Sequence, residues 1–231
     1  MAKNIVFKAL SEGRHTLLEP EAYKLLSEYK IPVCRHKMVS SLEEALNAAK
    51  EIGYPVVLKI VSPDIVHKSD VGGVKVNIIN DNHLRESYET LINDVKRNVP
   101  NARILGVLVV EMAPKSVEVV VGMLRDPTFG PTVMFGLGGI FVELMKDVVF
   151  RIAPVTKEEA LEMIKKIKGY PLLSGFRGSK PLDINSLAEL ISTVSRIGVE
   201  IPEIDQMDLN PVIVYETGFL IVDARIILKS H

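Results

Sequence analysis

The sequence predicts an α/β (α+β) protein of two lobes, and two patterns along its 231 residues support this class. Before Pro100, segments with helical apolar spacing, such as 81–99, alternate with short apolar strands, such as 55–60. After Pro100, strand-like runs separated by glycine and proline predominate. We therefore expect a mixed lobe over residues 1–100 and a sheet-centred lobe over residues 101–231.

Local signals predict the elements of the first lobe. Glu19-Pro20-Glu21 places a proline and two acids in the first turn of a helix, which is a favourable start. Ser41-Leu42-Glu43-Glu44 is a capping-box pattern that opens a second helix. The remaining elements predicted for this lobe are strands at 33–39, 55–60 and 74–79, a loop at 62–73 and a helix at 81–99.

Strand periodicity and glycine-bearing turns predict the second lobe. Gly136-Leu137-Gly138-Gly139 joins two of its strands and matches neither the P-loop nor the dinucleotide fingerprint. A tight turn explains this run as well as phosphate binding does. The predicted strands lie at 106–112, 116–124, 132–135, 148–153, 209–215 and 219–228, and the predicted helices at 157–168 and 182–198.

Composition places the chain among globular proteins. Apolar residues make up 47% and charged residues 25%, which argues against intrinsic disorder. The net charge of −1 supplies no general attraction to nucleic acid or to an anionic membrane. No apolar stretch approaches the roughly 20 residues of a membrane span. The single cysteine, Cys34, cannot form an internal disulfide, so we expect a cytoplasmic protein.

Two basic side chains of the first lobe are candidates for phosphate chemistry. Lys59 ends an apolar strand, where a charged amine either reaches water or meets an anion such as a nucleotide phosphate. His67 lies on the 62–73 loop, before Gly72-Gly73. A lone loop histidine is usually only solvated, whereas beside a phosphate site it could act as a phosphoryl nucleophile.

Acidic and amide side chains in the strands indicate a nucleotide and a metal. Glu111 and Glu118 interrupt two strand patterns, where each either faces solvent or accepts hydrogen bonds from a ribose or an adenine amino group. Asn210 and Asp223 lie on neighbouring predicted strands and offer the hard oxygen ligands that suit a magnesium nucleotide. The alternative is an Asx turn before Pro211 and a solvent-exposed Asp223.

Longer motifs resemble known families. An ATP-grasp domain is similar in the order of its motifs, which here are residues 53–59, the adjacent strands with Glu111 and Glu118, Asp208-Leu209-Asn210-Pro211 and Val222-Asp223-Ala224. The β subunit of ADP-forming acetyl-CoA synthetase, a relative of the succinyl-CoA synthetase β subunit, is similar in three further blocks, at 62–75, 135–143 and 170–178. The resemblance runs from about Leu18 to Leu228 and implies the ATP-grasp fold, with the nucleotide in a cleft between two lobes.

This resemblance implies a ligase subunit for the reaction acetyl-CoA + ADP + phosphate ⇌ acetate + CoA + ATP, in which a phosphoryl group passes between nucleotide and histidine. It implies ATP/ADP and Mg²⁺ as cofactors, and an α subunit with the CoA-binding and phosphohistidine domains in an α2β2 assembly. The chain ends just after the Asp223 strand, so we expect it to be half of an enzyme. The implied site residues are Lys59 for the nucleotide phosphates, Glu111 and Met112 for adenine, Glu118 for ribose, Asn210 and Asp223 for magnesium, His67 as a second phosphohistidine, Asp208 to orient it, and Arg151 as a further phosphate contact.

Two other functions remain open on the sequence. The first is an ATP-grasp carboxylate–amine ligase that makes an acylphosphate directly on its substrate and would not need His67. The second is a non-catalytic nucleotide-binding module, which would bind ATP without exchanging its phosphoryl group.

Overall fold

The computed structural model describes residues 2–139, 147–176 and 178–229. Within these ranges no helix is long and apolar enough to cross a membrane. The elements, in chain order, are α1 (Ala2–Ser11), α2 (Glu19–Glu28), β1 (His36–Val39), α3 (Leu42–Ile52), β2 (Val56–Val61), β3 (Val74–Ile78), α4 (Asp81–Asn98), β4 (Gly106–Glu111), β5 (Val117–Asp126), β6 (Gly130–Leu137), β7 (Val148–Ile152), α5 (Lys157–Lys166), α6 (Tyr170–Ser174), α7 (Ile184–Glu200), β8 (Ile204–Val214), β9 (Phe219–Ile221) and β10 (Ala224–Leu228).

The chain divides into two compact units whose limits differ from the lobes predicted at 1–100 and 101–231. The central unit is Cys34–Pro114, and the composite unit joins Met1–Val33 to Lys115–His231. One reason for the difference is that β4, which follows residue 100, pairs with β1 and β2 of the central unit.

The second reason is that the N-terminal segment adds to the C-terminal strand. The Leu17 amide donates to the Ile226 carbonyl at 3.0 Å, and the Leu228 amide donates to the His15 carbonyl at 2.8 Å. Helix α2 also packs against β10. Both ends of the chain therefore belong to the composite unit.

The central unit is a four-stranded antiparallel sheet in the order β1-β4-β2-β3. Leu58 and Val109 are paired across β2 and β4, and both belong to the core that α3 and α4 complete. Because side chains alternate along a strand, the next pair, Lys59 and Leu108, lies on the opposite face of the sheet.

The composite unit has a larger antiparallel sheet in the order β10-β8-β5-β6-β7, with β9 beside β8. Helix α7 packs against β5 and β6, on the face that we call the α7 face. One cross-strand row on that face is buried and consists of Met207, Met123 and Val133. Alternation places the adjacent row on the other face, which we call the Asp208 face, and this row consists of Asp208, Gly122 and Met134.

Candidate functional site

Lys59 lies in the middle of the central sheet, on the face away from α3 and α4. Only 5% of the residue is exposed, and its strand neighbours Val74 and Leu108 flank it. An ammonium group is costly to bury unless it meets an anion or a hydrogen-bonding partner. The burial of Lys59 therefore disfavours the alternative of a side chain that simply extends into bulk water.

His67 is exposed at the tip of a loop that is held firmly before and after it. On the near side, Asp64 receives three hydrogen bonds from Arg103, at 2.8 Å from its amide and at 3.0 and 2.7 Å from its guanidinium. These hydrogen bonds lower the pKa of Asp64 to about 2. Ile65 is buried in the core of the central unit. The histidine is thus presented by a structured loop.

Beyond His67, the chain returns to β3 through a turn that requires glycine. The Gly73 amide donates to the Lys68 carbonyl at 2.7 Å, and Gly72 has a φ of +74°. A Cβ on Gly73 would lie 2.7 Å from a methyl group of Ile60, closer than packed side chains approach one another. Close packing against β2 explains the Gly72-Gly73 pair without any role in phosphate binding.

The adenine contacts implied for Glu111 and Met112 receive little support from the geometry. The Glu111 carboxylate forms an ion pair with Arg35. The Met112 amide already donates to the Pro55 carbonyl at 3.2 Å, so it is not free to donate to an adenine nitrogen. Both residues lie at the end of β4, and their role in adenine binding stays a prediction.

Glu118 lies on β5 against the glycine turn 136–139. The Gly138 amide donates to the Glu118 carbonyl at 2.7 Å, and a Cβ on Gly138 would lie 3.0 Å from the Glu118 backbone. Gly138, Gly139 and Glu118 border a cavity of about 370 Å³ that Leu172 also lines. A cavity bordered by one exposed carboxylate can accept a polar ligand, and the ribose role of Glu118 stays a prediction. The motif at 135–143 extends beyond the described residues from position 140 onward.

Asn210 and Asp223 are adjacent, as predicted from their strands. The Asn210 amide donates to the Asp223 carbonyl at 3.2 Å. The single β5 residue Val120 lies opposite two residues of β8, Asn210 and Pro211, so a bulge lies at the proposed ligand. The predicted strand at 219–228 is likewise interrupted, between β9 and β10, at Val222-Asp223.

An amide and a carboxylate oxygen fit a magnesium ion that takes its remaining ligands from phosphates and water. No group of three or more His, Cys, Asp or Glu side chains with metal-binding geometry occurs among the described residues. A metal at Asn210 and Asp223 would therefore depend on a nucleotide for the rest of its coordination, as a Mg-nucleotide does.

A buried polar pair on α2 supports the segment that carries Asp223. The Tyr23 hydroxyl donates to the Val222 carbonyl at 2.6 Å and lies 2.7 Å from Oε1 of Glu19. Both side chains are almost fully buried. The Val222 amide donates to the Pro211 carbonyl at 3.1 Å, so the segment is held on both sides. No local sequence pattern indicates this support, because it joins residues about 200 positions apart.

Asp208 and Arg225 face each other across β8 and β10. One Nη of Arg225 lies 3.8 Å from Oδ2 of Asp208, and both side chains are partly exposed. Burial raises the pKa of Asp208, and the charge of Arg225 opposes that rise. Arg225 was not among the predicted site residues, although its position two residues after Asp223 could have identified it by strand alternation.

Arg151, the further phosphate contact that the resemblance implied, is engaged by carboxylates of α5. It pairs with Val133 on β7, so it lies on the α7 face and not with Asp208. Its guanidinium forms ion pairs with Glu159 at 3.2 Å and Glu162 at 3.1 Å on α5. These contacts disfavour the phosphate role that the resemblance implied, because they turn the charge toward the helix layer, and that role stays a prediction.

The predicted site residues therefore fall into two groups, one in each unit. The central unit carries Lys59, His67, Glu111 and Met112, and the composite unit carries Glu118, Asp208, Asn210 and Asp223.

Comparison with known proteins first defines the class. A family model described as an ATP-grasp domain matches residues 8–228, so the chain is an ATP-grasp protein. Within that class, it belongs to the family of β subunits of ADP-forming acetate–CoA ligases. It is 53% identical over 227 residues to the acetate–CoA ligase [ADP-forming] I subunit beta of Pyrococcus furiosus, across 98% of this chain and 97% of the relative. It is 47% identical over 230 residues to the acetate–CoA ligase [ADP-forming] I of Archaeoglobus fulgidus, of which it spans only 33%.

Solved structures agree with this family. The dinucleotide-forming acetyl-coenzyme A synthetase 1 of Ca. Korarchaeum cryptofilum, in complex with coenzyme A, Ca-AMPCP and HgCl+, matches with a TM-score of 0.96 and 55% identity over 99% of this chain and 100% of that chain. A selenomethionine derivative of the same enzyme holds coenzyme A and Mg-AMPPCP, with its phosphohistidine segment pointing towards the nucleotide-binding site. It matches with a TM-score of 0.87 and 51% identity over 99% of this chain and 100% of that chain. The ATP-grasp fold predicted from the sequence is confirmed.

Proposed function

We propose that this chain is the nucleotide-binding catalytic β subunit of an ADP-forming acyl-CoA synthetase, for which acetate is one acid and ATP forms from ADP and phosphate. The observation that carries this proposal is the 53% identity over nearly the full length of a β subunit with that activity. The family consists of acid–CoA ligases, which favours this function over a carboxylate–amine ligase or a non-catalytic module.

Lys59, Asn210 and Asp223 would hold the nucleotide. The Lys59 ammonium would supply a cation for the phosphates from a buried position, where a charge-assisted hydrogen bond is strong. Asn210 and Asp223 would bind Mg²⁺, which when bound neutralises charge on the phosphate oxygens. The relative that holds Mg-AMPPCP supports this choice of metal.

His67 would be the residue that receives the phosphoryl group. A neutral imidazole is nucleophilic near pH 7, and the loop that Asp64 and Ile65 secure keeps the ring exposed for attack. Asp208 would balance the charge of the phosphorylated ring. The phosphoryl group would then pass to a histidine of the partner, and each transfer would run in both directions.

The partner would be an α subunit that carries the CoA-binding and phosphohistidine domains, in an α2β2 assembly. The Pyrococcus furiosus relative is named a β subunit, which supports a partner subunit. The Archaeoglobus fulgidus relative is a longer, fused chain, and the two-thirds of it that this chain does not span can hold those domains. We also propose a cytoplasmic location, where the buried thiol of Cys34 stays reduced.

The test is to purify the chain with its partner from the native source. The complex should form ADP in the presence of acetate, CoA, ATP and magnesium. With γ-labelled ATP, an acid-labile and base-stable label should appear on the peptide that contains His67. The His67→Ala complex should lose the label and the turnover and keep its nucleotide affinity.

His83→Ala is the control, because His83 is partly exposed in the first turn of α4, where its backbone amide donates to the side chain of the cap residue Asn80. This variant should label and turn over normally. Normal turnover of His67→Ala would remove the nucleophile assignment. Absence of CoA-ligase activity in the wild-type complex would contradict the proposed function itself.

A further inference from the structure

Arg225 lies close, along β10, to the two residues proposed to bind magnesium, Asn210 and Asp223. On the Asp208 face, the Asn210–Asp223 pair and the Asp208–Arg225 pair are successive rows of β8 and β10. A strand rises about 3.4 Å per residue, so the two rows are separated by about 7 Å. A magnesium nucleotide held by Asn210 and Asp223 would therefore lie one row of this face away from the Arg225 side chain.

The guanidinium is only loosely engaged. The guanidinium lies 3.8 Å from the Asp208 carboxylate, which is an ion pair longer than a hydrogen bond. Within the described residues, this ion pair is the one polar contact of the Arg225 side chain. Five N–H donors arranged in a plane suit the oxygens of a phosphoryl group, which they can bind in pairs.

The surface in front of this pair is also open. Asp208 and Arg225 line a cavity of about 200 Å³ together with Gly122. Gly122 is paired with Asp208 across β5 and β8, and a Cβ there would lie 3.3 Å from the Met134 side chain. Because this position lacks a side chain, the space beside Asp208 remains available to a ligand.

We propose that Arg225 binds the phosphoryl group during its transfer between the nucleotide and histidine, an inference that rests on the function proposed above. In the direction that consumes ATP, the bond from the γ-phosphorus to the β–γ bridging oxygen breaks, and ADP leaves with that electron pair. A ring nitrogen of the histidine donates its lone pair to form the new N–P bond. Arg225 neutralises the three oxygens that carry the charge, as cations do in other phosphoryl transfers.

Arg225 is thereby a better candidate for a phosphate contact than Arg151. The two differ in the face of the sheet that they occupy and in their partners. Arg151 is held by two carboxylates at hydrogen-bonding distance, whereas Arg225 has one distant carboxylate that a phosphoryl group can displace.

The test measures transfer and binding separately in the complex with the partner subunit. Arg225→Gln should slow single-turnover transfer from γ-labelled ATP to histidine by about a hundredfold to a thousandfold. Its Mg-ADP affinity by calorimetry should stay within about threefold of wild type, because the metal and Lys59 hold the nucleotide. Arg225→Lys keeps the charge and loses the paired donors, so it should recover part of the rate.

Arg196→Gln is the matched control, because Arg196 also makes one long ion pair, at 3.9 Å to Glu200, but on α7. It should transfer at the wild-type rate. A wild-type transfer rate in Arg225→Gln, or in Arg225→Lys if the glutamine variant does not fold, would overturn the inference. A loss of rate that saturating Mg-ATP restores would also overturn it, because Arg225 would then serve only ground-state binding. If the wild-type complex itself forms no phosphohistidine, the proposed function fails instead.

Discussion

Replacing Tyr23 by phenylalanine should weaken magnesium-dependent nucleotide binding from a position outside the site. The substitution removes only the hydroxyl that donates to the Val222 carbonyl at 2.6 Å, beside the proposed ligand Asp223. Tyr23 is fully buried, so the aromatic packing is retained. Loss of a partner that orients a metal ligand typically lowers metal affinity by about 10-fold to 100-fold. Because Tyr23 acts through the backbone, we expect magnesium-dependent nucleotide affinity to fall by about tenfold.

The same change should also cost stability. Glu19 and the Val222 carbonyl both lose a contact in a buried setting, and an unsatisfied buried polar group costs about 1–3 kcal/mol. Urea unfolding measures this loss. Tyr29→Phe is the matched control at the end of the same helix. The Tyr29 hydroxyl donates to Glu200 at an exposed site, so its loss should lower the free energy of unfolding by less.

Calorimetry with Mg-ADP and with ADP in a chelator separates the two effects. Tyr23→Phe should lose affinity only in the presence of magnesium, and Asp223→Ala should show the same pattern to a greater degree. A general loss of stability would lower both affinities alike. Equal Mg-ADP affinity in Tyr23→Phe and wild type would refute the reasoning, because the hydroxyl would then not position Asp223.

Two further predictions concern the central unit. Lys59→Met should lower nucleotide affinity about 10-fold to 100-fold, which is the worth of one charge-assisted contact, and calorimetry that gives wild-type affinity would exclude the phosphate contact. The pKa of Asp64 is lowered to about 2, against about 3.9 in an unfolded chain, so its ionised form stabilises the fold above about pH 4. The difference in urea midpoint between wild type and Asp64→Asn should therefore be constant from pH 7 to 5 and vanish as the pH falls towards 2, and a difference that did not change with pH would contradict this.

Local structure was largely readable from the sequence. Ser41 caps α3 as the sequence predicted, with its hydroxyl accepting from the Glu44 amide at 3.2 Å, and the Glu44 carboxylate accepts from the Ser40 amide at 2.7 Å. The predicted strand at 55–60 and helix at 81–99 match β2 and α4 to within one residue at each end. Caps and alternation depend on residues a few positions apart, so a single sequence contains the information that specifies them.

The sequence was less informative where an element depends on distant partners. Helix α1 was not predicted, and β8 begins at Ile204, five residues before the strand expected at 209–215. The assignment of β4 to the central sheet, and of the segment around Leu17 to β10, depends on pairing across long stretches of chain. No local pattern encodes such pairing, because its free energy arises only when both partners are present.

The site shows the same division. The sequence by itself determined which residue types are present, and the motifs around Lys59, His67 and Asp223 sufficed to indicate an ATP-grasp ligase subunit. Only the tertiary structure decided which charges share a surface. The register of β8, β5 and β10 places Arg225 beside Asp208, and the register of β7 turns Arg151 to the opposite face. A shift of one residue in pairing would exchange those faces, so the chemistry of the site depends on register that composition and spacing do not specify.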